Sequence, residues 1–327
     1  MKNYNMQKRL FGLILAVAIF FCFKYFNERN ARMKLEKERT TIETKMPEAS
    51  QDDADKTAEY TEAQQDTPAD DAEEETQDET VATRGDRDVA GVTNPGDLAL
   101  TRIVRGDFGK GQLLQHTGYV SYFSPETNCP VWVAWELTDS EVDGNAKRSN
   151  YNFTPDEKVS YSHQVTTKDY SRSGYDRGHM CPAGDMAWSG EAMHDCFYMT
   201  NICPQLPEVN QKYWEKLERT CRRWAKQEGS VYIICGPIFT SKQHKTIGRE
   251  HKIAVPDAFF KVILSLKKGK EKGIGFYYTN EETQQNLKDA SRTIDEIERL
   301  TGFDFFSDLN DGIENDVEAQ CNLGKWH

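Results

Sequence analysis

The sequence predicts an α+β fold with a central antiparallel sheet, flanking helices and a ββα unit. Three observations carry this. β-branched and aromatic runs recur from residue 118 to residue 278. Two segments follow the helical period instead of alternating. Strands and helices do not alternate in the regular way that would give a parallel sheet.

The strand-like runs are 118–123 (GYVSYF), 131–137 (VWVAWEL), 196–200 (CFYMT), 231–235 (VYIIC), 258–266 (AFFKVILSL) and 273–278 (GIGFYY). A helix is expected over 208–227, where Val209, Tyr213, Leu217, Cys221 and Trp224 fall near the 3.6 period. A second is expected over 293–300, with Thr293 and Glu296 spaced as a capping box and Gly302 as its stop. No internal repeat is visible, and residues 95–327 are long enough for a single core.

The first third has a different character. Residues 10–23 (LFGLILAVAIFFCF) are uncharged and apolar behind a short basic stretch, Lys2 to Arg9. Fourteen residues fall short of the roughly 20 a spanning helix needs. They match the core of a signal peptide, yet no small-x-small cleavage site follows. We therefore expect 1–26 to be an uncleaved signal-anchor, with the bulk of the chain extracytoplasmic and held at a membrane. A cleaved secretory signal comes second and an ordinary buried helix third. Residues 27–94 read as an acidic linker, since 41–80 hold two Lys against 15 Asp and Glu.

That linker accounts for most of the charge. The chain carries −12 at pH 7, about −7 of it in residues 1–90 and about −5 in 91–327. A mildly acidic domain argues against a tight, nonspecific nucleic-acid binder with a broad basic face. It leaves room for an enzyme with a local basic cleft. There are eight Cys. Disulfides are permitted outside the cytoplasm. Beyond Cys22 seven remain, so at least one is expected to lack an intrachain partner.

The most informative motif is Asp176-Arg177-Gly178-His179. It places an acid, a guanidinium and an imidazole within four positions. Imidazole takes a proton near neutral pH, and guanidinium recognises phosphate oxygens bidentately. The glycine lets the backbone approach a ligand or bend sharply. Alone, the motif also fits a surface ion pair beside a structural histidine. Downstream, Asn210, Trp214 and Glu218 are spaced i, i+4, i+8 on the expected helix, so an amide and a carboxylate share one side. Those oxygens suit a hard cation such as Mg²⁺. Singly, Asn210 could equally serve the helix N-terminus and Glu218 could be a solvated charge.

Together these pieces resemble the DNA/RNA nonspecific endonucleases of the ββα-metal class, the family of endonuclease G and the bacterial sugar-nonspecific nucleases. The resemblance rests on 176–179 (DRGH), 200–205 (TNICPQ) and 210–218 (NQKYWEKLE), with weaker matches from 116–119 to 301–306. It covers about 95–310 and says nothing of residues 1–90. It implies an endonuclease that hydrolyses DNA and RNA with little sequence specificity and leaves 5′-phosphate ends. The cofactor would be Mg²⁺, with Mn²⁺ as a substitute. His179 would be the general base, Asn210 the direct metal ligand and Glu218 the residue orienting the metal's waters. Asn201 would be a hydrogen-bond partner in the active site. Arg177 would hold phosphate, joined by Arg148, and Asp176 would fix local geometry. DNA and RNA are the implied substrates, the membrane a partner through the N-terminus, and a homodimer is left open.

Cys181 and Cys203 depart from the family pattern and open a rival. His179, Cys181, His194, Cys196 and Cys203 could form a structural zinc site, although their spacing is not a usual zinc signature. A nucleic-acid-binding domain that kept the fold without the chemistry is the other alternative.

Overall fold

The computed structural model describes residues 98–326 apart from Lys242, all within one compact unit. The apolar run at 10–23 and the acidic linker lie outside the described residues. Among the described residues, no helix is long and apolar enough to cross a membrane.

The centre is a seven-stranded sheet. In chain order its strands and the strands of the site are β1 (Gln112–His116), β2 (Tyr119–Ser124), β3 (Cys129–Thr138), β4 (Asp176–His179), β5 (Ile202–Gln205), β6 (Ser230–Ile238), β7 (Ala258–Ser265), β8 (Lys272–Thr279) and β9 (Ser291–Arg292). The sheet runs β9-β8-β7-β6-β3-β2-β1, and each neighbouring pair is antiparallel. β4 and β5 form a separate two-stranded hairpin.

The central strands are apolar without alternation because both faces of the sheet are covered. Val133, Trp135, Leu137, Ile233, Cys235, Phe259 and Ile263 join a core with Trp214, Leu217, Cys221 and Trp224 of the long helix. Their neighbours Trp132, Ala134, Tyr232, Ile234, Phe260 and Val262 face a second core with Ile294, Ile297, Phe305 and Val317. The first face carries the β4–β5 hairpin and the long helix. The second carries the helices Ile294–Thr301 and Asp311–Glu318.

The expected helix at 293–300 is present, and its cap forms as read. Thr293 accepts from the Glu296 N–H at 3.0 Å, while the Glu296 carboxylate accepts from the Thr293 N–H at 2.9 Å. Gly302 ends it at φ 74°, a left-handed conformation that costs glycine little. The long helix starts with Pro207, a residue suited to a first turn. It winds as a π-helix over Val209–Trp214 and as an α-helix over Glu215–Glu228.

One expected strand is absent. Residues 196–200 make one isolated bridge, Tyr198 to Thr154, and run into a 3₁₀ turn, Met199–Asn201; the two-stranded ladder begins at Ile202. Asn201 donates its backbone N–H to the Tyr198 carbonyl at 2.9 Å, and the Asn201 amide side chain bonds the backbone of Cys181 and Cys196. Those bonds replace a ladder at this point. The seven described cysteines are all free thiols; Cys321 is exposed and the others are buried.

The C-terminus is pinned to the first core. Trp326, 1% exposed, packs on Trp224 with ring centroids 4.7 Å apart. Lys272 lies 5.0 Å over the Trp326 ring, and its ammonium donates to Glu228 at 2.9 Å and to the Lys325 carbonyl at 2.7 Å. Trp326→Ala is expected to cost about 3–5 kcal/mol of unfolding free energy, read by urea denaturation of the full chain.

Candidate active site

The hairpin sets the first half of the site. β4 and β5 pair antiparallel with Asp176 opposite Gln205, Gly178 opposite Cys203 and His179 opposite Ile202. Gly178 is required by its neighbour across the hairpin. A Cβ there would stand 2.2 Å from Gln205 Oε1 and 2.8 Å from its Cβ. Gln205 is fully buried and cannot swing away.

The long helix supplies the second half, and two bonds fix it to the hairpin. The Trp214 indole donates to the His179 carbonyl at 3.1 Å. At the other end of β4, Asp176 Oδ2 accepts from Asn210 Nδ2 at 2.9 Å and from Gln211 Nε2 at 2.7 Å. Because the Asn210 amide nitrogen is committed to Asp176, its Oδ1 is left to serve the cleft. In a regular α-helix, eight residues overshoot two full turns by about 80°. The slower winding of the π stretch between Asn210 and Glu218 removes most of that offset, which brings amide and carboxylate into line.

A cleft of about 670 Å³ opens between these elements. Arg148, Asp176, Arg177, His179, Asn210 and Glu218 all line it. Asn201 does not. It is fully buried behind the cleft, where Oδ1 accepts from the Cys181 N–H at 2.9 Å and Nδ2 donates to the Cys181 and Cys196 carbonyls at 2.8 Å. It braces the loop that follows His179 and is spent in doing so.

His179 is 6% exposed and sits between two rings, Phe153 and Phe197, with centroids 5.1 Å away on each side. The same rings carry the arginines. Arg177 lies 4.8 Å over Phe153 and Arg148 lies 5.6 Å over Phe197. Burial, with Arg148 and Arg177 adding to it, pushes the imidazole pKa down to about 3. The ring is therefore neutral at physiological pH, and its Nε2 is closed off from solvent without a protein hydrogen-bond partner. A neutral imidazole with a ring nitrogen uncommitted to the protein can accept a proton.

Below the helix lies a set of buried charges. Lys261 stands 4.4 Å over Trp214 and 5.0 Å over Trp135. Asp185 accepts from the Trp135 indole at 3.2 Å and from Arg222 at 2.7 Å. Burial raises the Asp185 carboxyl, opposed by Arg222. Burial also pushes Glu218 up to about 7, with Lys261 opposing and Asp185 reinforcing.

Arg222 lines the cleft but was not expected. Its position one turn after Glu218 was the available signal. Phe153 and Phe197 were also missed as the rings that seat the histidine and both arginines. The rival zinc set does not form: His179 faces the cleft, while His194, Cys181, Cys196 and Cys203 do not converge with it on a common point.

The donor set fits a hard divalent cation. Asn210 Oδ1 and the Glu218 carboxylate are oxygen donors on one helix face, in a cleft wide enough for retained waters, which is what Mg²⁺ favours.

A model of the DNA/RNA non-specific endonuclease family matches residues 99–312. The chain belongs to that family. It is 33% identical over 225 residues to "Nuclease 1, mitochondrial" of Schizosaccharomyces pombe, covering 63% of this chain and 70% of that protein. It is 35% identical over 179 residues to "Endonuclease G, mitochondrial" of Bos taurus, covering 52% of this chain and 58% of that one. A crystal structure of an EndoG/EndoGI complex superposes with a TM-score of 0.57 at 28% identity, covering 62% of this chain and 88% of that one. The chain thus spans under two thirds of the bovine relative's length.

Two outcomes test this geometry. Gly178→Ala is expected to destabilise the protein and abolish activity. The double variant with Gln205→Ala should recover part of the stability, which a double-mutant cycle measures. The second test concerns pH. Glu218 is raised, so its carboxylate is lost as pH falls through about 7, whereas His179 stays neutral down to about 3. Divalent-cation affinity should weaken by about tenfold per pH unit below that point, and activity lost on the acid side should return with added cation. Titrating Mg²⁺ at pH 6 and pH 8 reads both.

Proposed function

We propose that the protein is a Mg²⁺-dependent endonuclease that hydrolyses phosphodiester bonds of DNA and RNA with little sequence specificity and leaves 5′-phosphate ends. One observation carries this. A neutral, ring-clamped His179 lines the same cleft as three arginines and the oxygen pair of Asn210 and Glu218.

His179 accepts the proton of the water that attacks phosphorus. Arg177 and Arg148, seated on the two rings, grip the phosphate oxygens bidentately. Arg222, held by Asp185, adds a third positive charge to the cleft. Asp176 orients the Asn210 amide, Asn210 would hold the cation directly, and Glu218 would orient the cation's waters. When bound, Mg²⁺ would neutralise charge building on the phosphate and on the departing 3′ oxygen. The bond to the 3′ oxygen breaks, so the phosphate stays on the 5′ side. These groups address the phosphate and not base edges, which supports low sequence preference. Three arginines in one cleft supply local contacts for phosphate in a domain that is mildly acidic as a whole.

The apolar run at 10–23 supports a further proposal, that the catalytic domain is carried outside the cytoplasm, anchored or secreted.

The full chain is expected to cut supercoiled plasmid and single-stranded RNA with Mg²⁺ or Mn²⁺ and to stop with EDTA. His179→Ala should slow cleavage by about 10²–10⁴-fold while DNA binding persists in a filter assay. Wild-type protein that binds both nucleic acids but cuts neither would establish a binding module instead.

A further inference from the structure

A second cluster of charged side chains lies on the far face of the sheet, away from the cleft. Asp295 and Glu298 stand one turn apart on helix Ile294–Thr301, and Glu318 closes helix Asp311–Glu318. One carboxylate oxygen from each lies within 4.8 Å of the other two. The cluster is graded in depth: Asp295 is exposed, Glu298 half-buried, and Glu318 only 8% exposed. Glu298 Oε1 accepts from the Phe305 N–H at 2.8 Å. Glu318 Oε1 is closed off from solvent and has no hydrogen-bond partner. A carboxylate oxygen buried without a donor is costly and calls for an explanation.

No base in the cluster supplies one. Glu314 and Asp304 add negative charge nearby, and Arg105, which faces them, is committed to Asp308 at 2.9 Å. Burial and then the surrounding carboxylates push Glu318 up to about 9 and Glu314 up to about 7. A proton or a cation must relieve the repulsion.

We propose that Asp295, Glu298 and Glu318 form a Ca²⁺ site that ties helix Ile294–Thr301 to helix Asp311–Glu318 behind the catalytic sheet. The donors are all oxygens, which selects a hard cation. Ca²⁺ accepts irregular shells of six to eight oxygens with several carboxylates among them, whereas Mg²⁺ demands near-ideal octahedral geometry and usually takes only one or two. Asp295 on the open side leaves room for the waters that complete a Ca²⁺ shell of six to eight ligands. The ion supplies what Glu318 Oε1 lacks.

The test uses the full chain, purified with chelator and then supplied with Ca²⁺ alone. Ca²⁺ at about 100 times Kd should raise the unfolding temperature by about 5–10 °C. At pH 7, binding should release about one proton from Glu318, read by calorimetry in buffers of different ionisation enthalpy. Glu318→Gln and, independently, the exposed Asp295→Asn should each abolish the rise and leave nuclease activity unchanged. Asn210→Ala should keep the rise. A rise that survives both carboxylate variants, or that disappears in Asn210→Ala, would place the ion elsewhere and overturn the proposal. Wild-type protein that shows no thermal shift with millimolar Ca²⁺ would also overturn it and leave a shared proton as what holds the three carboxyls together.

Discussion

The bond from the Trp214 indole to the His179 carbonyl is the joint on which the site depends. It ties the last residue of β4 to the long helix at 3.1 Å. Trp214 is fully buried, in the core that the central strands face. The position of the imidazole is therefore inherited from the sheet itself, by way of one indole and one carbonyl. At the other end of β4, Asp176 makes the matching connection to Asn210 and Gln211. Two short strands gain the rigidity of a helix, and the helix gains a fixed register against the strands. Groups that must act together are held by the packed core and not by a loop.

The electrostatics follow from the same packing. Phe153 and Phe197 exclude water from the imidazole and at the same time offer flat faces to Arg177 and Arg148. Desolvation and two cations act in one direction on His179, towards the neutral form. On Glu218 burial also favours the neutral form, and Lys261 acts against it. One site thus holds an imidazole kept neutral and a carboxylate poised near its switching point.

The sequence made the chemistry legible and left much of the support hidden. His179, Asn210 and Glu218 could be read because residue type and spacing carry the information. Arg148 was found from a looser match, yet it lines the cleft as expected. Asn201 was assigned to the cleft because its motif was recognisable, but nothing in the chain shows that its amide is consumed by the backbone of Cys181 and Cys196. Arg222 was overlooked because a Glu–Arg pair four apart on a helix ordinarily means a solvated surface pair. The π stretch at Val209–Trp214 has no marker in composition, so the simple i, i+4, i+8 count does not describe how Asn210 and Glu218 come to line one cleft. Gly178 reads as a point of ligand approach or sharp bending, whereas its packing against Gln205 on another strand becomes visible only when β4 and β5 pair.

The order of the sheet has a further consequence for biosynthesis. β3 and β6 are neighbours, yet the whole site unit, roughly 90 residues, is threaded between them. At about 5–20 residues per second, β3 emerges from the ribosome some 5–20 s before its partner. During that interval Val131, Val133 and Trp135 lie along an open edge that can pair with another nascent chain. Placing the catalytic unit inside the sheet's connection thus joins the site firmly to the core, and it also makes early synthesis the stage at which this protein is most exposed to misassembly.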